Sequence, residues 1–426
     1  MNQPLLVNNF EIKKASVKLH SGKKFSIDRG SILSFEYSEG ILQKYITVTM
    51  KIVDTTSSLS QGMIGLEQIE LVVEDKTNNV KYEFTGGSAN GPLYVYEIHD
   101  KEVVDTGKIF VLELCRLDAI NNHLKRVSKQ YKSVKSDALL GDVINGELGS
   151  KKPTNVTGSM NTLTFVPPNS KPYEVLVWAR NKYIGKSSKS TKSGGSDVSA
   201  GYFFFEDYDK YNFVSIDSLA EQTTEVARFT TGTTQGGVDE VSSFKNPKFV
   251  RNLDLIENFD KGFYSGKVDF LDLVNMEVYT AEYNIADNYK KWQKLGKQDD
   301  LPDLYKKVLS KSPTRNMTIS YNDDLFLESG NQDKTKNKMY MKETIVQSVS
   351  RFGVFTSQVL VGQVYGNLSL RAGNVVYIEF TDADGKIDKT YSGKYVISSI
   401  RHIYSGAYPE ATLKTNLTLV RDSFGA

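Results

Sequence analysis

The stretch Lys44-Tyr45-Ile46-Thr47-Val48-Thr49-Met50-Lys51-Ile52-Val53 alternates apolar and polar residues without a slip. Ile46, Val48, Met50 and Ile52 fall on one side of an extended chain; Tyr45, Thr47, Thr49 and Lys51 fall on the other. That period of two predicts a half-buried strand. Residues 67–73, 93–98 and 108–114 are further β-rich runs. Turn chemistry separates them at Thr85-Gly86-Gly87-Ser88 and Asp105-Thr106-Gly107. Residues 1–118 therefore predict an all-β unit of six or more strands. So many strands in so short a span favour a closed or nearly closed barrel, which removes exposed edges.

The pattern changes after residue 118. Ser136 precedes Leu139, Leu140, Val143 and Ile144 at helical spacing, predicting a serine-capped helix. Pro172 opens a second helix running through Val175, Leu176 and Trp178 to Gly185. Lys186-Ser-Ser-Lys-Ser-Thr-Lys-Ser-Gly-Gly195 is polar and of low complexity, a linker or flexible loop. Strands resume at 202–205 and 211–216 around a turn at 207–210. Residues 286–295 and 301–311 predict lysine-rich helices, and 375–380, 395–403 and 412–420 are strands again. The last strands echo the first unit. Tyr94-Val95, Ile98-His99 and Arg116 find counterparts in Tyr395-Val396, Ile400, His402 and Arg421, with histidine-to-arginine spacings of 17 and 19. The chain thus divides into a first β-barrel domain (1–118), a helical and linker region (119–200), a discontinuous second β-barrel domain (201–245 with 346–426) and an inserted domain (246–345). The fold class is mainly β with α+β insertions.

Composition bounds the function. The chain has 426 residues, with 53 basic and 51 acidic side chains and a formal charge of +2. Such a balance argues against a dedicated nucleic-acid binder. One cysteine, Cys115, rules out an internal disulfide framework and the usual cysteine zinc sites. Residues 1–10 carry no basic flank and no long apolar core, so no secretory signal is expected. No run approaches the ~18 apolar residues of a membrane span. The Asn-x-Ser/Thr triplets at Asn155, Asn316, Asn367 and Asn416 read as chance.

Several stretches approach motifs that carry chemistry. Gly185-Lys186-Ser187 lacks the upstream glycine of a phosphate-binding loop, since Arg180 stands there. Asp382-Ala-Asp-Gly-Lys-Ile-Asp388 has part of a calcium loop, but Gly393 occupies the place of the bidentate glutamate, so a hairpin turn on Asp384-Gly385 is expected. Glu206, Asp207 and Asp209 flank a turn and read as solvated carboxylates. Of the four histidines, His402 lies within an alternating strand and reads as structural. The basic clusters at 125–135 and 290–315 read as solvated faces; the functional alternative is a docking surface for an acidic partner or loose contact with a phosphate backbone.

Three blocks of residues resemble a known family. The C-terminal third contains Lys342-Glu-Thr-Ile, Val349-Ser-Arg-Phe-Gly353, Gly362-Gln-Val-Tyr-Gly-Asn-Leu-Ser-Leu-Arg-Ala-Gly-Asn-Val-Val376, Tyr391-Ser-Gly-Lys-Tyr-Val-Ile-Ser-Ser-Ile-Arg-His402 and Thr415-Asn-Leu-Thr-Leu-Val-Arg-Asp-Ser-Phe424. Pro172-Tyr-Glu-Val-Leu-Val-Trp-Ala-Arg180 and residues 201–219 form the middle block. The first unit agrees in pattern through residues 65–71. Their succession resembles the central baseplate hub proteins of contractile-tailed, T-even-type phages, which are related to the hub part of type VI secretion spike proteins. The resemblance implies two related tube-type β-barrels per chain, and three chains forming a pseudo-sixfold ring. Its motif residues here are Gly366, Asn367, Arg371, Gly373, Gly393, His402, Arg421 and Asp422. Gly366 and Gly373 suit tight turns, Asn367 tolerates a left-handed backbone, and Arg371 suits a turn or subunit contact. The long, lysine-rich 246–345 insertion departs from the family pattern.

The function this implies is structural and non-enzymatic, with no catalytic residue, cofactor or metal. The chain would be a homotrimeric hub of a virion tail baseplate, assembled in the host cytoplasm. It would join the spike protein to tail-tube or tape-measure components, with baseplate wedge proteins as further neighbours, and let DNA pass through its lumen. The rival classes are a tail-borne polysaccharide- or peptidoglycan-cleaving hydrolase and a host-glycan-binding tail module. The former would use Glu206, Asp207 or Asp209; the latter would draw on the 47 aromatic residues (2 Trp, 24 Tyr, 21 Phe).

Overall fold

The computed structural model describes residues 10–423 except 57–58, 60–61, 105–106, 187–200, 232–239, 253, 274, 298–302, 310–312, 322, 327–337, 339, 383 and 407–410. The start of the chain, most of the low-complexity segment after Lys186, and two residues of the turn before Gly107 therefore lie outside the described residues.

The chain is mainly β. Its first eight strands are β1 (Phe10–Lys18), β2 (Lys24–Ser26), β3 (Ile32–Gly40), β4 (Thr47–Asp54), β5 (Gln68–Asp75), β6 (Val80–Phe84), β7 (Leu93–Val104) and β8 (Gly107–Arg116). β4 is the strand read from residues 44–53, and its residues alternate half-buried and buried along its whole length. Ile46, Val48, Met50 and Ile52 are all sealed in the core, as the alternation requires.

The middle carries β9 (Tyr131–Val134), β10 (Thr154–Val156), β11 (Leu163–Phe165), β12 (Tyr202–Glu206) and β13 (Tyr211–Ser215) among short helices. Helix α1 (Leu117–Leu124) follows β8 directly. Helix α2 (Ser136–Gly141) buries Leu139 and Leu140, and a π-helical turn extends it to bury Val143 and Ile144. Ser136 is not its cap: Lys135 stands there, and the Ser136 hydroxyl donates to the Thr157 carbonyl at 2.9 Å. Helix α3 (Pro172–Ala179) starts at the expected proline but stops well short of Gly185. The chain must turn back there, because the Met160 amide donates to the Ile184 carbonyl at 2.9 Å and Gly185 bridges to Ser159. β12 and β13 form the expected hairpin. They pair with β10 in a separate three-stranded sheet, not with the C-terminal strands with which the sequence reading grouped them.

The remaining strands are β14 (Ala227–Thr230), β15 (Lys245–Arg251), β16 (Ser265–Asp272), β17 (Glu277–Asn284), β18 (Arg315–Tyr321), β19 (Gln358–Tyr365), β20 (Val375–Glu379), β21 (Gly393–Ser405) and β22 (Thr412–Arg421). β16, β17 and β18 form their own sheet inside the inserted region. Two helices predicted there are present in part: residues 285–288 are α-helical and continue as a single 3-10 turn, and Asp303–Leu309 is a helix.

β9 and β11 pair with each other, and the other strands join into one 14-stranded sheet. It contains two sets with the same order. The first set reads β3-β4-β8-β7-β5-β1, and the second reads β15-β19-β22-β21-β20-β14. Ranked by chain position within each set, both are second, third, sixth, fifth, fourth, first. The sets differ at one rung: β1 runs antiparallel to β5, whereas β14 runs parallel to β20. The repeat extends to details. Ile98 opposes Leu112 and Ile400 opposes Leu417, and the bulge lies just before each, between Val95 and Glu97 and between Ile397 and Ser399. Arg116 closes β8 and donates to the Asn90 carbonyl at 2.8 Å; Arg421 closes β22 and donates to the Ser392 carbonyl at 3.2 Å. The two arginines are equivalent. The two histidines are not, because the bulge alignment sets His99 on Arg401 and leaves His402 unmatched.

No strand pairing among the described residues closes either set into a barrel. A single bridge, Thr230 to Ser243, links β14 to the residue pair before β15. β21 instead leaves β20 after Val396 and pairs with β3 from Ser399 to Ser405, which joins the two sets edge to edge. Leu368, Tyr404 and Leu413 of the second set pack into the core of the first.

Candidate functional site

The seam between the two sets holds a cluster of buried polar and aromatic side chains. Its residues come from distant parts of the chain. Tyr37 and Glu39 lie on β3, Tyr82 on β6, Tyr208 and Asp209 in the β12–β13 turn, Arg371 and Ala372 before β20, and His402 on β21.

Glu39 is fully buried and accepts three hydrogen bonds. Its Oε2 takes the Tyr37 hydroxyl (2.5 Å) and the Tyr208 amide (2.9 Å), and its Oε1 takes the Ala372 amide (2.7 Å). Burial, reinforced by the nearby Asp207, pushes its pKa up to about 7, against the pull of Arg371. Arg371 holds Asp209 at 2.7 Å and donates to the Tyr82 hydroxyl at 2.8 Å and the Leu370 carbonyl at 3.0 Å. The Tyr82 and Tyr208 rings stack at 4.0 Å, and the guanidinium lies 5.0 and 5.2 Å from their centroids. His402 sits opposite Tyr37 across the seam, with Nδ1 2.9 Å from the Thr415 hydroxyl and Nε2 3.3 Å from that of Tyr82. Burial, then the charge of Arg371, lowers its pKa to about 3, so it is neutral.

These two groups give the seam a definite pH response. His402 is depressed in the folded chain, so its contribution is full above about 6.5 and is lost as pH falls toward about 3. Glu39 is raised, so its contribution is full below about 4.5 and is lost as pH rises through about 7. Between pH 4.5 and 6.5 the two slopes oppose each other, which predicts a plateau. Urea unfolding at pH 4, 5.5 and 8 is expected to show wild-type stability falling on either side of that plateau. Glu39→Gln leaves the His402 slope alone, so stability should keep rising to pH 6.5 and then stay level, without the alkaline loss of about 0.7 kcal/mol that Glu39 causes over the last half pH unit at ~1.4 kcal/mol per unit. An unchanged slope in that variant would show that Glu39 is not its source.

The other motif residues are backbone and end-of-strand features. Gly373 has φ +83°, and a Cβ there would stand 3.0 Å from the Phe205 ring. Gly393 has φ +140°. Gly366 does not adopt positive φ; it is small because Leu413 lies 2.6 Å from where its Cβ would be. Asn367 is likewise not left-handed. Its side-chain oxygen accepts from the Ser369 amide at 2.9 Å, an Asx turn in a different backbone region. Arg421 lies under the Tyr395 ring at 5.1 Å. Asp422 pairs with Arg351 at 3.1 Å, and Arg351 also holds Asp217 at 3.2 Å. The structure brings Arg371 and His402 together at the seam, joins Asn367 to it through the Thr415 hydroxyl, to which the Asn367 amide donates at 3.1 Å, and sets Gly393, Arg421 and Asp422 apart from it.

The reading of Glu206 and Asp207 as solvated turn carboxylates is overturned. Glu206 is completely buried, and Arg116 and Lys152 donate to its Oε1 at 2.5 and 2.9 Å. Asp207 is buried too, accepting the Asp209 and Lys210 amides at 2.7 and 2.8 Å and the Asn212 side chain at 2.6 Å. Only Asp209 of the three is substantially exposed. Asp382 does form the expected turn, accepting the Asp384 and Lys386 amides at 3.0 and 2.8 Å. Among the described residues no helix is long and apolar enough to cross a membrane, and no three metal-ligating side chains converge.

No protein-family model and no curated sequence matches the chain. Solved structures do match. A tail protein from Neisseria meningitidis MC58 is similar over 96% of this chain and 96% of its own, with a TM-score of 0.51 and 10% identity. The 43 kDa tail protein of prophage MuSo2 from Shewanella oneidensis is similar over 96% of this chain and 99% of its own, again with a TM-score of 0.51 and 10% identity. An E. coli component of the type VI secretion system aligns over 98% and 78%, with a TM-score of 0.43 and 8% identity. Over nearly its whole length, then, this chain has the fold of phage tail proteins.

Proposed function

We propose that the chain is a structural, non-enzymatic component of a virion tail baseplate, a hub ring of three copies. The observation that carries this reading is the repeated strand order, second-third-sixth-fifth-fourth-first, in two sets already joined edge to edge through β21 and β3. One chain then supplies two equivalent wall segments, and three chains supply six. Such a ring matches sixfold symmetry on one side and threefold symmetry on the other. In this reading each set curls into a tube-type barrel unit, the first from residues 1–118 and the second from 227–251 with 346–426. The spike protein sits on the threefold side, tail-tube or tape-measure components sit on the sixfold side, and wedge proteins flank the ring. DNA passes through the lumen. A near-neutral chain suits that passage, because a strongly basic wall would retain the phosphate backbone.

The test is the mass of the purified chain in solution together with images of the particles. A trimer of about three chain masses with a six-lobed ring supports the proposal. A chain that stays monomeric up to its solubility limit overturns it.

A further inference from the structure

The seam inside the chain has a counterpart that the chain alone leaves open. β21 pairs with β20 at its start and with β3 from Ser399 onward, on the same edge. Its equivalent, β7, pairs with β5 through Leu93 and Tyr94 only. The remainder of that edge, from Tyr96 to Val104, meets no strand among the described residues, and Tyr96 and Val103 are 46% and 79% exposed. The equivalent of β3 is β15, which pairs with β19 on one side and with no other strand along Lys245–Arg251. Its Val250 is 62% exposed. Among the described residues, one edge of each kind remains unpaired, at opposite ends of the repeated arrangement.

We infer that β7 of one copy pairs antiparallel with β15 of a second copy, repeating between chains the β21–β3 seam found within one. This rests on the ring reading above and names the contact that closes it. The repeat fixes the register. Glu102 opposes Ile109 just as Ile403 opposes Lys414, so Glu102 takes the place of Ile403. Lys248 opposes Val361 just as Glu36 opposes Thr49, so Lys248 takes the place of Glu36. Ile403 faces Glu36 in the internal seam. Glu102 of one copy therefore faces Lys248 of the next.

Glu102 and Lys248 are complementary in this register, and His99, which takes the place of Arg401 beside Lys248, already has Asp100 and Glu113 at 3.0 and 3.4 Å. Glu97, Glu102 and Lys248 are exposed and make no ion pair among the described residues. The inner seam carries its base on the long strand: Arg401 grips Glu36 of β3 at 2.5 and 2.7 Å. The outer seam reverses the polarity, with acid on β7 and base on β15. Swapped pairings would set Arg401 against Lys248, or Glu102 against Glu36, and like charges across a seam are disfavoured. Pro247 removes one donor from the β15 edge, a device that restrains indiscriminate strand addition.

The experiment is a charge swap read by trimer dissociation on dilution, with each variant's monomer checked for unchanged unfolding. Glu102→Lys and Lys248→Glu should each weaken assembly by on the order of tenfold, since the lost attraction recurs at every seam of the ring. The double swap should restore most of the loss. Independently, Glu102→Cys combined with Lys248→Cys should cross-link trimers covalently under oxidation, because Cys115 is buried. Trimers indifferent to both single swaps and not cross-linked would overturn this seam while leaving the ring standing. A strictly monomeric wild type would overturn both.

Discussion

Replacing Arg351 by methionine is expected to lower the unfolding free energy by about 3–5 kcal/mol, the usual cost of stripping one partner from a buried ion pair. Arg351 has no exposed surface. It lies on the helix Gln347–Phe355, where it donates to Asp422 at 3.1 Å, to Asp217 at 3.2 Å and to the Gln293 carbonyl, over the Trp292 ring at 5.1 Å. Asp422 also receives the Leu295 amide at 3.0 Å. One guanidinium thereby ties the inserted region, the short helix Ile216–Ala220 and the end of β22 to one point. Without it, Asp422 and Asp217 stay buried and lose the guanidinium that bridges them. Denaturant unfolding of Arg351→Met should show the full loss. Asp422→Asn should cost clearly less in that background than in the wild type, because the two changes remove one shared interaction. Additive losses would show that Arg351 and Asp422 contribute independently.

What the sequence made legible was whatever a local period or a local turn dictates. β4 could be read residue by residue because one of its faces is buried and the other is not. The repeat could be glimpsed through Arg116 and Arg421 because each closes its hairpin by the same backbone bond. The sheet to which β12 and β13 belong could not be read. Every residue of both is buried, so no alternation tells one face from the other. Glu39 was equally hidden. In Tyr37-Ser38-Glu39 nothing local separates a sealed carboxylate from a solvated one, and the partners that seal it lie 169 and 333 residues away. Arg371 and His402 were singled out through the family pattern, but their meeting around Tyr82 depends on β21 crossing to β3. That is a tertiary event with no signature in either segment.

The same distance effect makes Glu206 the second point at which a single change should cost most. Its carboxylate joins the first strand set to the middle region: Arg116 ends β8, Lys152 precedes β10, and the Ile46 amide donates at 3.2 Å from just before β4. Burial opposes its charge, but Lys152 and Arg116 outweigh burial and hold the pKa below the usual carboxylate range. Its contribution is therefore present above its ordinary value near 4.5 and is lost as pH falls through the depressed one. A carboxyl locked in this state has no proton to give at neutral pH, which removes Glu206 from any general-acid role. Glu206→Gln should destabilise the fold by about 3–5 kcal/mol, because Arg116 then keeps Asp118 as its ion-pair partner while buried Lys152 loses its ion pair and keeps its bond to the Asp207 carbonyl. Burial already lowers the pKa of Lys152, and losing Glu206 removes the strongest force opposing that shift. A depressed lysine contributes least where it must be protonated, so the variant's stability should rise with pH toward the ordinary lysine value near 10.5. Unfolding of Glu206→Gln at pH 6 and pH 9 measures this directly. Adding Lys152→Met should flatten the rise, and a variant equally stable at both pH values would show that Lys152 is not the group left in deficit.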